Sequence, residues 1–450
     1  MFLSTKGFSL SLADLSKMAL DSNPDIMAAS ADYEKEVLSA KYLNGTYAPR
    51  VSLSSSSTLL KDAKTNDLPE SFLSRMTYAQ PLPGGTSISL EADYGFNSAA
   101  YDELYYLKQQ PGLSLTLSQS LMPFWIQGQI KDPVKLSTKK REDYYFYQLQ
   151  YIKKNIWSTL AQYYVYALTA KNEINIYKNS VSLYEMQVDS IKALKAQGKV
   201  SQAALMELEN SKWNAEQNLM SAEADYFSNV QKLKTICGQN FDEELLEPFE
   251  DNEKYLSTSF FDDEDTDPLE ETYKLKLEIL KSSRVTEKQA GAPVLNLSLQ
   301  PEFDLKATKK EDWQKAWDDM DSPGKWTFGI GLDLSSMISG LASQNKKKYQ
   351  IEYKTALESY NLYLEGRKFI LQQYEGLLQQ YLNQQERINF LYDSGLKELS
   401  DYKIQFEKGE ISKFDYESAR VRVENCRLKK ESINSYVWLY ELLVRINTYK

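Results

Sequence analysis

Ala48-Pro49-Arg50-Val51-Ser52-Leu53-Ser54 returns later in the chain as Ala292-Pro293-Val294-Leu295-Asn296-Leu297-Ser298. In both places a helical stretch runs into a proline, after which apolar and small polar residues alternate with the period of a strand. A second pair of matching segments is Gly198-Lys199-Val200-Ser201 and Gly409-Glu410-Ile411-Ser412, each interrupting a long helical region. The offset is 244 residues at the prolines and 211 at the glycines, so the first copy carries extra material. Each copy reads helix, proline-started strands, very long helix, glycine turn, long helix. A duplicated unit that cannot bury its apolar faces alone implies an array or a closed ring. Long helices joined to strands in such a ring imply a tube.

Composition narrows the function. Among 450 residues there are 63 acidic and 53 basic ones, a formal charge of −10, which argues against nucleic acid as a partner. The chain has no histidine, which removes the commonest metal ligand and general base. Only 13 prolines and 18 glycines interrupt it, as long helices require. Cys237 and Cys426 form no metal or disulfide pattern and sit at helical core spacing, which reads as two small buried hydrophobes. No apolar run approaches the ~18 residues of a membrane-spanning helix. That excludes a helical inner-membrane protein but not a β-barrel, whose alternating strands barely register in hydropathy.

The expected elements follow from breakers and periodicity. A short helix spans 9–22 with Leu10, Leu12, Leu15, Met18 and Ala19 inside; Ser22-Asn23-Pro24-Asp25 stops it and starts the next. Strands are expected at 51–60, 72–80, 86–96 and 112–121. The cleanest is Leu113-Ser114-Leu115-Thr116-Leu117-Ser118, apolar one way and hydroxyl the other. Gln80–Gly85 is a turn, and the Tyr-bearing segment 97–111 reads as an exposed loop. A first helical hairpin covers 138–237. Its second helix carries a coiled-coil-like seam of Leu208, Ala215, Leu219, Ala222, Tyr226, Val230, Leu233 and Cys237. The acidic stretch 239–267 reads as a solvated linker. Then come a helix at 268–289, a strand at 294–305, a loop with Trp313 and Trp317, a strand within 326–334, and a second hairpin at 342–447. The last helix packs Ala419, Cys426, Ile433, Val437, Tyr440 and Val444, and the tyrosines at 144, 145, 147, 163, 164 and 166 read as packing between helices. The fold class is mixed α and β, mostly long α-helices. The first repeat is 9–238, with strands at 51–121, and the second is 268–450, with strands at 294–334.

This order of elements resembles the TolC-like outer-membrane efflux proteins over essentially the whole chain. The resemblance is carried by Leu10-Ser11-Leu12, Ala19-Leu20, Asn23-Pro24-Asp25, Ala48-Pro49-Arg50-Val51-Ser52-Leu53, Ser118-Gln119-Ser120-Leu121 and the two glycine turns. It implies a homotrimer whose α-helical barrel crosses the periplasm and continues into a membrane β-barrel closed by three chains within outer-membrane lipid. Such a duct has no catalytic residue, no metal and no cofactor. It docks on a periplasmic adaptor (membrane fusion) protein that links it to an inner-membrane pump or a secretion ATPase. Residues 1–7 lack the basic region, apolar run and cleavage site of a signal peptide, so export implies a signal that is not present in this chain. A soluble coiled-coil scaffold without a barrel stands as the alternative, although it has no use for paired proline-started strands.

The resemblance places adaptor docking at the two turns, at Gly198, Val200, Ser201, Gly409, Ile411 and Ser412. Glycine supplies the positive φ of a helix C-terminal cap and serine caps the next helix, chemistry that a plain structural turn needs equally. Six positions after the tip glycine the family carries an acidic residue, here Asp415, an aperture candidate whose three copies would meet near the axis. The first repeat has Ala204 instead, and Asp415 equally suits a helix N-terminus. The family plan has two strands per repeat. The segment 72–96 departs from it and suggests an extra hairpin, either in the barrel wall or in an extracellular loop.

Overall fold

A computed structural model describes residues 10–41, 47–58, 71–82, 86–101, 104–121, 133–242, 246, 266–290, 292–302, 305–307, 325–338 and 340–448. The elements are α1 (Leu12–Ser22), α2 (Pro24–Lys41), β1 (Arg50–Thr58), β2 (Ser71–Leu82), β3 (Thr86–Tyr101), β4 (Leu104–Ser120), α3 (Pro133–Ala196), α4 (Gln202–Cys237), α5 (Pro268–Ala290), β5 (Val294–Glu302), β6 (Leu305–Ala307), β7 (Lys325–Asp333), α6 (Ser335–Ile338), α7 (Leu341–Glu407) and α8 (Lys413–Asn447). At ~1.5 Å per residue, α3 and α7 measure about 96 and 100 Å. The chain forms two compact units, each drawing on both halves of the sequence. One comprises Met1–Tyr33, Tyr145–Thr272 and Tyr360–Lys450, the other Glu34–Tyr144 and Tyr273–Ser359.

The helical unit is built on small-residue seams and a largely aliphatic core. Leu12, Leu15 and Ala19 of α1 pack with Trp157, Leu160, Ala161 and Val165 of α3, Val230, Leu233 and Cys237 of α4, and Leu439, Leu442 and Leu443 of α8. The α4 seam expected from sequence is buried at Ala215, Ala222, Val230, Leu233 and Cys237. Tyrosines also pack here: Tyr381 stacks on Tyr436 and Tyr440 at 4.7 and 5.4 Å. Cys237 donates to the Leu15 carbonyl at 3.6 Å, and burial pushes its thiol up to about 12, which makes it inert. Cys426 is half-buried.

Caps set the element ends. Ser11 and Asp14 form a reciprocal capping box, so α1 begins at Leu12, and Leu10 instead bridges to Leu246. Asn23 accepts from the backbone N–H groups of Asp25 and Ile26 to start α2, and its amide donates to the Ile236 carbonyl at the end of α4. Gly238 ends α4 at φ 64°, and a Cβ there would lie 2.4 Å from the Ser22 carbonyl oxygen.

The second unit contains a single antiparallel sheet in the order β1-β2-β3-β4-β5-β7, with β6 paired to β4. Some expectations change and others are made more specific. Residues 97–101 and 104–111 are strand rather than loop, because β3 and β4 stay in register out to Tyr101 opposite Leu104. Over the described part of the strand expected at 294–305, β5 and β6 keep one register on β4 (Gly112 opposite Glu302, Gln109 opposite Leu305), and β6 carries that register to Ala307. The linker is anchored where it is described: Leu246 is buried in the helical core and Asp267 is buried beside α7. The hairpin suspected at 72–96 lies within the sheet, between β1 and β4. Trp313, Trp317 and most of the linker fall outside the described residues.

Candidate channel wall and helical turns

The sheet sorts its side chains by face. One row runs Val51, Tyr78, Leu90, Leu115, Leu299, Phe328 across all six strands of the path. A neighbouring row on the same face carries Ile88, Leu117, Leu297 and Ile330, with Gln80 at its β2 end. The opposite face reads Arg50, Ala79, Ser89, Thr116, Ser298, Gly329 in one row and Ser54, Arg75, Asp93, Gly112 in another. Period-two alternation places these residues, since successive side chains leave opposite faces. The polar face carries an ion pair, Arg75 to Glu91 at 2.8 Å. It also needs a glycine: a Cβ at Gly112 would fall 1.9 Å from Asp93 Oδ1. The apolar face is exposed over much of its area, with Tyr78, Ile88 and Leu297 half-buried. Leucines on inner strands keep about two-fifths of their surface (Leu90 40%, Leu115 44%, Leu117 39%), and apolar residues on the outer strands keep more (Val51 61%, Leu53 76%, Phe328 64%, Ile330 68%). An exposed apolar sheet face backed by a polar one is costly in water and suited to lipid outside and water inside. Among the described residues no helix is long and apolar enough to cross a membrane.

The two glycine turns share one backbone design. At the first, Gly198 lies at φ 73°, its N–H donates to the Lys195 carbonyl, and the Lys199 N–H reaches back to Leu194. At the second, Gly409 lies at φ 76°, with its N–H donating to the Phe406 carbonyl and that of Glu410 to Gln405. Both are Schellman closures, which satisfy the last carbonyls of a helix. A Cβ at either glycine would meet nothing within 4 Å, so dihedral angle alone demands glycine. Ser201 then caps α4 and Ser412 caps α8. Both serines are exposed, and Val200 and Ile411 are half-buried. Asp415 is engaged locally: its carboxylate accepts from the Ser412 hydroxyl at 2.6 Å and from the Ser412 N–H at 3.2 Å, completing a capping box. The first turn has no such box. Ion pairs zip each hairpin above its turn, Lys212 to Glu185 at 2.9 Å and Arg422 to Glu398 at 3.2 Å.

Sequence reasoning misses a partly buried charge cluster around the buried Asp267. Arg367 of α7 contacts Asp267 at 3.3 Å and Glu270 at 3.0 Å, and also donates to the Asn447 carbonyl. Tyr363 donates to Asp267 and Tyr360 to Glu270. Lys154 of α3 lies in the field of both Asp267 and Arg367, and burial pushes its ammonium down to about 8. Asp267 precedes Pro268 and caps α5 through the Leu269 N–H, as Asn23 precedes Pro24 and caps α2, 244 residues earlier. That parallel is the signal the sequence offers.

No family model matches the sequence, and no curated protein does. Solved structures match over nearly its whole length. The CmeC outer membrane channel of Campylobacter jejuni aligns with 99% of this chain and 90% of its own, at TM-score 0.62 and 13% identity. The outer membrane protein VceC of Vibrio cholerae covers 97% and 96%, at 0.60 and 12%. The MtrE outer membrane channel of Neisseria gonorrhoeae, in an open state, covers 97% and 88%, at 0.59 and 11%. The chain has the TolC-like fold. At these identities the likeness concerns architecture, and the function rests on the chain's own residues.

Proposed function

We propose that this chain is the outer-membrane duct of a tripartite efflux or type I secretion machine. In this reading it is a passive homotrimer with no catalytic role, held in the outer membrane by its strands and extended through the periplasm by its helices. The observation that carries the reading is the sheet: an exposed apolar face, a polar face behind it, and two outer strands each paired on one side only among the described residues. Sheet edges in water invite aggregation, and closure into a barrel removes them. A second feature points to association between copies. Met206, Trp213, Met220 and Phe227 are exposed on α4 at intervals of seven residues, in a stripe separate from its buried seam. A heptad stripe of large apolar residues is a helix–helix contact lacking its partner. The turns at Gly198, Val200 and Ser201 and at Gly409, Ile411 and Ser412 are the proposed docking points for the periplasmic adaptor, through which an inner-membrane pump or secretion ATPase engages the duct.

Light scattering on the protein extracted from membranes, corrected for detergent, tests this reading. Three chains of 51.9 kDa give about 156 kDa. A trimer that conducts ions in a planar bilayer supports the duct. A detergent-independent monomer or dimer in the soluble fraction leaves the coiled-coil scaffold.

A further inference from the structure

The sheet contains more strands than the plan of two per repeat provides. Resting on the duct reading above, we propose that β2 and β3 are wall strands of the membrane barrel. Each copy then contributes six strands, and three copies close an eighteen-stranded pore in which β1 of one copy pairs with β7 of the next.

Three observations carry this. First, the β2–β3 hairpin is paired without a break. β2 is matched residue for residue to β1 from Ser71 to Ala79 and to β3 from Ser71 to Leu82, and β3 continues on β4 over its whole length. A loop folded over the outside of a barrel would leave β1 to pair with β4. Second, the hairpin obeys the facial code of the strands on either side. Tyr78 and Leu90 continue the apolar row from Val51 to Leu115, while Thr77 and Glu91 continue the polar one from Ser52 to Ser114. The Arg75–Glu91 pair and Asp93 lie on the polar face, where a lumen hydrates them and where lipid would not tolerate them. Third, the free edges fit each other. Five successive antiparallel pairings leave β1 and β7 running in opposite directions, so joining β7 of one copy to β1 of another preserves alternation around the ring. Those two strands are also where the apolar side chains are most exposed.

The geometric consequence is a wider pore. With strands ~4.8 Å apart and tilted ~40°, a ring of eighteen has a backbone radius of about 18 Å, against about 12 Å for twelve. Eighteen strands place the wall in the range where barrels enclose a water-filled channel.

Cysteine labelling separates this proposal from the reading it rests on. Single cysteines are placed on the apolar face (Met76→Cys, Leu90→Cys) and the polar face (Thr77→Cys, Ser89→Cys) of the hairpin. Leu297→Cys and Ser298→Cys serve as controls on β5. Each variant, reconstituted into phospholipid vesicles, is treated with a membrane-impermeant maleimide. Modification is read peptide by peptide in the mass spectrometer, so that Cys237 and Cys426 do not interfere. The expected result is alternation on β5 and on the hairpin alike, with polar-face thiols reacting roughly ten-fold faster than lipid-shielded ones. Alternation on β5 with uniform labelling of the hairpin overturns the eighteen-stranded wall and leaves the duct intact. Uniform labelling on β5 as well overturns both. Electron microscopy of the same vesicles down the barrel axis gives the ring diameter directly, and a ring of about 24 Å in place of about 36 Å also overturns the proposal.

Discussion

Replacing Lys154 with methionine should stabilise the protein, and the gain should depend on pH in a defined direction. Lys154 is buried on α3, and its ammonium drops from the ordinary 10.5 to about 8, chiefly through lost hydration. Attraction to Asp267 opposes that drop, and repulsion from Arg367 adds to it. At ~1.4 kcal/mol per pH unit the difference corresponds to about 3 kcal/mol of cost for carrying the charge in the fold. Below pH 8 both the folded and unfolded chains hold the proton and the whole cost applies. Between pH 8 and 10.5 the folded protein has released a proton that the unfolded chain retains, so wild-type stability rises with pH. Methionine matches the length of the lysine stem and carries no charge. The advantage of Lys154→Met should therefore be largest at about pH 7 and fade as pH approaches 10.5. The assay is thermal unfolding of the detergent-solubilised protein, followed by helical circular dichroism, for both proteins at about pH 7 and about pH 10. A variant less stable than wild type at neutral pH, or a gain unchanged in alkali, would refute the reasoning. The lysine would then be held mainly by Asp267, with desolvation the minor effect.

Arg367→Ala should cost about 3 kcal/mol, because it takes the guanidinium away from the buried Asp267 carboxylate and the half-buried Glu270; the same melting experiment reads it. Asp415→Ala breaks the Ser412 capping box and should cost about 1 kcal/mol. Under the duct reading it also raises single-channel conductance or lowers cation preference, whereas unchanged conductance confines Asp415 to its cap. Gly198→Ala and Gly409→Ala should each cost about 1 kcal/mol through backbone strain alone, since open space surrounds both positions; a much larger loss in melting temperature would contradict that. Under the same duct reading, Trp213→Asp combined with Phe227→Asp should convert the trimer to monomers in size-exclusion chromatography while leaving helix content unchanged.

The elements that recur at fixed offsets are legible in the amino-acid order alone. The proline-started strands, glycine turns and small-residue seam are local signals, each set by a backbone angle or by the helical period. Asn23 is legible as a cap because its neighbour is Pro24. Asp267 stands in the same relation to Pro268, but it belongs to a run of acidic residues whose average property, solubility, hides the one that is buried. Arg367 gives no signal, because a lone arginine on a helix becomes a ligand of Asp267 only through tertiary packing. The segment 97–111 misleads for a related reason. Its tyrosines and lysine suggest a wet loop, yet a strand can carry such residues when it continues an established register, and register is a property of the pair of strands.

The same distinction explains how, under the duct reading, a sheet path of six strands arises from a plan of four. A single inserted strand would break the alternation of strand direction around the ring, because β7 of one copy would then meet β1 of the next in parallel. An inserted hairpin restores direction, since β2 and β4 run the same way and β1 meets either as an antiparallel partner. It also preserves the facial code if its own alternation begins in phase, as Thr77 and Tyr78 do opposite Ser52 and Val51. The circumference of such a barrel therefore grows in steps of two strands per chain, and the helices need no change in the order of their elements. In this chain the extra material responsible for the difference between the 244- and 211-residue offsets lies between the first proline and the first glycine turn, the interval that contains β2 and β3.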